Sequence, residues 1–127
     1  MKFNFDWSIV GGGAPYVTIS SHGIAFNSTS ISKLKSPEQI IVGFDEEQLV
    51  LGIKAHEGEN SKPYEFASRI RNAWIRIGCR DFVKYLERLT GNDFSQAKRF
   101  VAESDAETGI LIVDLKQGSE VAGQEEQ

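Results

Sequence analysis

With a single cysteine, Cys79, the 127-residue chain can form no internal disulfide, which suits a reducing compartment and leaves stability to a packed core. Histidine is almost as scarce. His22 and His56 are the only two, and neither has a cysteine or aspartate at ligand spacing, so neither a metal nor a cofactor is expected. No apolar run approaches the ~20 residues that span a bilayer, and the first ten residues lack the charged start and long apolar stretch of a secretory signal. A cytoplasmic protein with no membrane partner is therefore expected. Enzyme signatures are also missing. Asp45, Glu46 and Glu47 stand on a predicted hairpin tip, where solvated turn residues outnumber acid–base pairs. Cys79 has no histidine near it in sequence to act as base, so it reads as a small buried thiol and not a nucleophile. Glycines 11–13 lack the lysine and following helix of a phosphate loop and read as a hinge.

What the chain does contain is one pattern written twice. At 40% hydrophobic and 25% charged residues, it is long enough to bury a core as one domain, expected over residues 1–116. Within it, residues 15–53 and 63–115 each read strand, turn, strand, helix, strand, turn, strand. In the first copy, YVTIS and GIAFN are β-branched and aromatic runs around a turn at Ser21 and His22. Ser28, Thr29 and Ser30 offer cap oxygens to a short helix that carries Ile31 and Leu34 and stops near Pro37. Ile40, Val42 and Phe44 then share one strand face, and Leu49, Leu51 and Ile53 share another after an acidic turn at 45–48.

The second copy predicts a strand over 64–70, a turn at Arg71 and Asn72, and a strand over 73–77. A longer helix follows, started by Asp81, carrying Phe82, Val83, Leu86 and Leu89, and ended by Gly91. Residues 99–103 lead into a turn at 104–109, and 110–115 form a last strand with no plainly polar face, expected to be central and covered on both sides. Phe3, Phe5 and Trp7 alternate with polar residues and predict an extra strand at 2–8, available to a sheet edge, a protein partner or a homodimer. Residues 117–127 are polar and acidic and are expected to be a disordered tail.

This order of elements, with GIAFN, the helix SISKL and the hairpin FDEEQLVLGI, resembles the DNA-binding half of AbrB-type transition-state regulators and related antitoxins. It is similar to MraZ-like members, which carry two copies in one chain. The resemblance covers residues 15–53, and the second copy by topology alone. It implies a strand-rich α+β fold of two ββαββ halves forming a swapped-hairpin barrel. The alternative is a TATA-binding-protein-like saddle, or another mixed sheet with two helices. This chain departs from the family's pattern at Asn27 (usually proline), at Ser32 and Lys33 (usually arginine) and at Pro37-Glu38 (often Gly-Asp), and its first hairpin has no arginine.

Charge separates the copies. Lysines and arginines against acids number 4 and 7 in residues 1–60, 9 and 4 in 61–100, and 1 and 7 in 101–127, so the positive charge is confined to the second copy. Arg69, Arg71, Trp74 and Arg76 cluster on its first hairpin, and Arg80 starts its helix. The resemblance places three of these positions where the family keeps arginines that contact DNA. Read as a site, the five make a phosphate-binding surface with Trp74 available for stacking. Read otherwise, they are a solvated strand face whose arginines pair with Glu65, Asp81 or the acidic tail. Two functions follow: a small DNA-binding, transcription-regulator-like protein, or a non-enzymatic protein-interaction module.

Overall fold

The computed structural model describes residues 14–117 and the backbone of Ser119–Glu120. The expected strand at 2–8, with Phe3, Phe5 and Trp7, lies outside the described residues, as do residues 121–127. The protein is α+β and rich in strands. In chain order the elements are β1 (Tyr16–Ser20), β2 (Gly23–Phe26), α1 (Ser28–Lys33), β3 (Gln39–Asp45), β4 (Val50–Ala55) and β5 (Tyr64–Glu65). A 3-10 turn (Ala67–Arg69) leads to β6 (Ile70–Arg71), β7 (Trp74–Gly78), α2 (Arg80–Thr90), β8 (Lys98–Ser104), β9 (Leu111–Asp114) and β10 (Ser119–Glu120). Every pairing is antiparallel, and the strands run side by side in the order β5-β3-β4-β9-β8-β1-β2-β7-β6, with β10 against β8.

The alternation of apolar residues dictates which face of each strand turns inward. Val17 and Ile19 of β1, Ile24 and Phe26 of β2, Ile75 and Ile77 of β7, and Leu111 and Val113 of β9 belong to one continuous buried core. α1 adds Ile31 and, at its C-cap, Leu34; α2 adds Val83 and Leu86. Leu89, expected on that face, is 38% exposed. β9 lies in the middle of the sheet, yet Ile110 and Ile112 are only half-buried, so one face is sealed and the other partly open.

Asn27 caps α1, not the hydroxyls of residues 28–30. Its Oδ1 accepts from the amides of Ser30 and Tyr16, each at 3.0 Å, while its Nδ2 donates to the Ala14 carbonyl at 3.0 Å. Ser30, fully buried, donates its hydroxyl to the Tyr16 carbonyl at 2.8 Å. One amide side chain thus fixes the helix start to the first strand, where a proline could do neither. Asn27→Ala is expected to cost about 2 to 3 kcal/mol, a lost cap plus polar groups left unpaired. A urea midpoint that falls at unchanged slope would show it.

The second half differs from its sequence reading at one place. The strand expected over 64–70 is broken by the 3-10 turn. Tyr64 and Glu65 pair with β3, whereas Ile70 and Arg71 pair with β7. The break is anchored by Phe66, which is fully buried with its ring edge-on to Phe26 at 5.1 Å. The amides of Phe66 and Ala67 are taken by the Glu38 and Pro37 carbonyls. The following hairpin turns at Asn72 and Ala73, both left-handed (φ 54° and 68°), one residue later than predicted. α2 ends as expected at Gly91 (φ 77°), whose amide donates to the Glu87 carbonyl. Its Tyr85 stacks on Phe82, meets Phe44 edge-on and donates to the Glu46 carboxylate at 2.6 Å. Within the expected tail, Ser119 and Glu120 pair with Arg99 and Lys98.

Candidate functional site

β7 turns Ile75 and Ile77 inward, so Trp74, Arg76 and Gly78 face outward. Trp74 is half-buried and the Arg76 guanidinium lies over its ring, 5.5 Å from the centroid, a cation–π contact. Arg71 is paired with Trp74 in register and donates to the Ile70 carbonyl at 2.8 Å. The 3-10 turn brings Arg69 and Ser68 to the same place. Glu65, Ser68, Arg69, Arg71, Trp74 and Arg76 together line an open depression of about 400 Å³. Four of the five residues singled out in the sequence therefore meet, although Arg69 stands on the turn and not on the same strand face as Arg71.

Arg80 is not in that depression. It is exposed at the first position of α2, beyond the far end of β7 and four residues from Arg76, ~13 Å of extended chain. A second depression of about 210 Å³ lies on that side, lined by His22, Gly23, Ala25, Ile77 and Gly78 among others. It shares Arg76 with the first.

Of the expected ion-pair partners, Glu65 and Asp81 do not hold these arginines, and the acidic tail lies largely outside the described residues. Glu65 accepts instead from the Gln39 side-chain amide at 2.8 Å. Among the described residues, Arg69, Arg71, Arg76 and Arg80 form no ion pair; the pairs present are Lys54 with Glu59 and Lys116 with Asp114. The site keeps its positive charge while offering guanidinium groups suited to two-pronged contacts with phosphate oxygens.

One basic side chain was not visible in the sequence as part of this face. Arg99 of β8 lies over the Tyr16 ring at 4.7 Å, a second cation–π contact on the same outward surface. The register carries it there: Arg99 is opposite Thr18, Thr18 opposite Ala25, and Ala25 opposite Arg76. Only the pairing of β1 with β8 brings it near, and no local sequence signal encodes that pairing.

Cys79 is 8% exposed, and burial pushes its thiol up to about 11. At pH 8 almost none of it is thiolate, which is unfavourable for nucleophilic chemistry. A disulfide reagent is expected to react slowly with the folded chain and rapidly in denaturant. Because the folded state favours the neutral thiol, its contribution to stability is complete below about pH 9 and is lost as pH rises toward 11. Among the described residues no group of three or more histidine, cysteine or acidic side chains could hold a metal, and no helix is long and apolar enough to cross a membrane. The chain matches no family model, no curated protein and no solved structure.

Proposed function

We propose that this chain is a small cytoplasmic DNA-binding protein of the transcription-regulator kind, acting without catalysis or cofactor, and that the face built on β6 and β7 is where it holds phosphate. The observation that carries this reading is the depression that gathers Arg69, Arg71, Arg76 and Trp74 while leaving the three guanidinium groups without ion-pair partners among the described residues. Unpaired clustered arginines beside a half-buried aromatic ring are what a polyanion with bases would meet.

The duplicated, AbrB-like architecture is part of the same proposal. Its support is in the registers. β2 pairs with β7, the strand in the same place of the second copy, and Ile24 opposes Ile77 just as Phe26 opposes Ile75. β4 likewise pairs with β9, with Leu51 opposite Val113 and Ile53 opposite Leu111. Pairing of equivalent strands in reciprocal register is what a twofold axis between halves produces. The two ends of the strand path, β5 and β6, are separated in the chain by only the 66–69 segment, so the sheet curls back toward itself, which favours a barrel over an open saddle.

Titration against DNA at about 50 mM and 200 mM salt tests the reading, because a contact with several phosphates weakens by a large factor over that range. No binding at the lower salt would overturn it. The protein-interaction reading would then take its place, supported by Ile70, 47% exposed beside a shallow depression that includes Ile31 and Ala73.

A further inference from the structure

Gly78 has no local reason to be glycine. It is exposed, its backbone is outside the left-handed region, and a Cβ built on it would meet no atom within 4 Å. Gly78 is the last residue of β7, and the cap residue of α2 follows it. Gly23, its partner in register, is different: a Cβ there would strike the Ile77 carbonyl oxygen at 2.0 Å. Gly23 is buried and Gly78 exposed, so on the β7 side of this pair the outer surface of the sheet is bare backbone. Exposed backbone with open space above it leaves room for another molecule to come close to the main chain.

The outward residues of this stretch then fall into a line. Trp74, Arg76 and Gly78 alternate with the buried Ile75 and Ile77, so successive members stand ~6.6 Å apart and the line extends ~13 Å, with Arg80 following at the start of α2. Two depressions meet along it at Arg76. It is a cationic track with a ring at one end and a backbone-floored passage between two arginines.

We infer that this track takes unpaired, single-stranded nucleic acid, its backbone passing over Gly78 between Arg76 and Arg80 and a base stacking at Trp74. The inference rests on the proposed DNA-binding reading and narrows it. Bases in a duplex are stacked on one another and closed to Trp74, whereas each base of a single strand offers a free face. Duplex recognition in the major groove needs a helix or ribbon that enters the groove, while the surface here is a pair of shallow depressions.

The test uses the full chain and fluorescence anisotropy with a labelled twelve-residue oligothymidine and a duplex of equal length. Alongside the wild type run Gly78→Val and, as a control, Gly43→Val, since Gly43 of β3 also has open space around its Cβ position but lies outside both depressions. The oligonucleotide is expected to bind about tenfold or more tightly than the duplex. Gly78→Val is expected to weaken it about tenfold without lowering the melting temperature, and Gly43→Val to change affinity less than about twofold. Should valine unfold the strand, Gly78→Ala gives the smaller obstruction and is read in its place. Duplex binding as tight as or tighter than the oligonucleotide, or unchanged affinity in the folded Gly78 variant, would overturn the inference and leave the DNA-binding reading standing. Binding of neither probe by the wild type would overturn that reading itself.

Discussion

Replacing Arg69 and Arg71 together by glutamate is expected to abolish DNA binding while leaving the melting temperature unchanged. Both side chains are exposed, and the only described contact either makes is that of Arg71 with the carbonyl next to it. Removing them should therefore cost the fold little. On the ligand side, each phosphate neutralised contributes roughly 0.9 to the slope of log K against log salt on duplex DNA and ~0.7 on a single strand. Three to five arginines give the wild type a slope of about −2.7 to −4.5 on duplex DNA and about −2.1 to −3.5 on a single strand. The double reversal deletes two of those contacts and adds two repulsions, so affinity should fall by roughly a hundredfold or more, out of the measurable range at physiological salt. Anisotropy titrations of both proteins at two salt concentrations, with thermal melts as the folding control, decide it. Undiminished binding by a folded double variant would remove the depression from the proposed interface.

Gly23→Ala is expected to be the most damaging small substitution in the sheet. β2 and β7 approach closely at Gly23, and the Cys79 amide adds a bond to the His22 carbonyl at 3.2 Å. A methyl group at Gly23 would overlap the Ile77 carbonyl oxygen, a backbone atom that cannot rotate aside. The two strands must then separate, at a cost of about 3 kcal/mol, the upper part of the range for overpacking. For a chain of this length that corresponds to a fall of roughly 10 °C in the melting temperature. Gly78→Ala, one position across the ladder, should show no such fall, and the contrast within one cross-strand pair is the check. Equal melting temperatures for Gly23→Ala and the wild type would mean that the strands have slack the structure does not show.

The strand-rich α+β character was legible because its signals are local. Tyr16–Ser20, Gly23–Phe26 and Trp74–Gly78 have the period of strands, and Gly91 announces the end of α2. The break at Ala67–Arg69 was not, because Tyr64, Phe66 and Ala67 are compatible with extended chain. The turn is imposed by the burial of Phe66 and by carbonyls of residues 37 and 38, which no window around it contains. Leu89 fits the helical spacing of its apolar face, yet no neighbouring element covers it fully. At the candidate site, Arg69, Arg71, Trp74 and Arg76 were found together because they are close in sequence. Arg99 and Tyr16 were not, since a strand pairing between residues 83 positions apart joins them to that face.

That long-range pairing also governs how the chain reaches its fold. β1 is the first described strand to leave the ribosome, and one of its two neighbours is β8, with Thr18 opposite Arg99. β4 waits for β9 in the same way. Until the last third of the chain has been made, the first hairpins keep one edge of hydrogen-bonding groups unsatisfied and part of the core exposed. Closure therefore carries the entropy of loops some 60 to 80 residues long and should be slow for a domain of this size, in milliseconds to seconds. The nascent first half is the species most open to misassembly and to rescue by a chaperone.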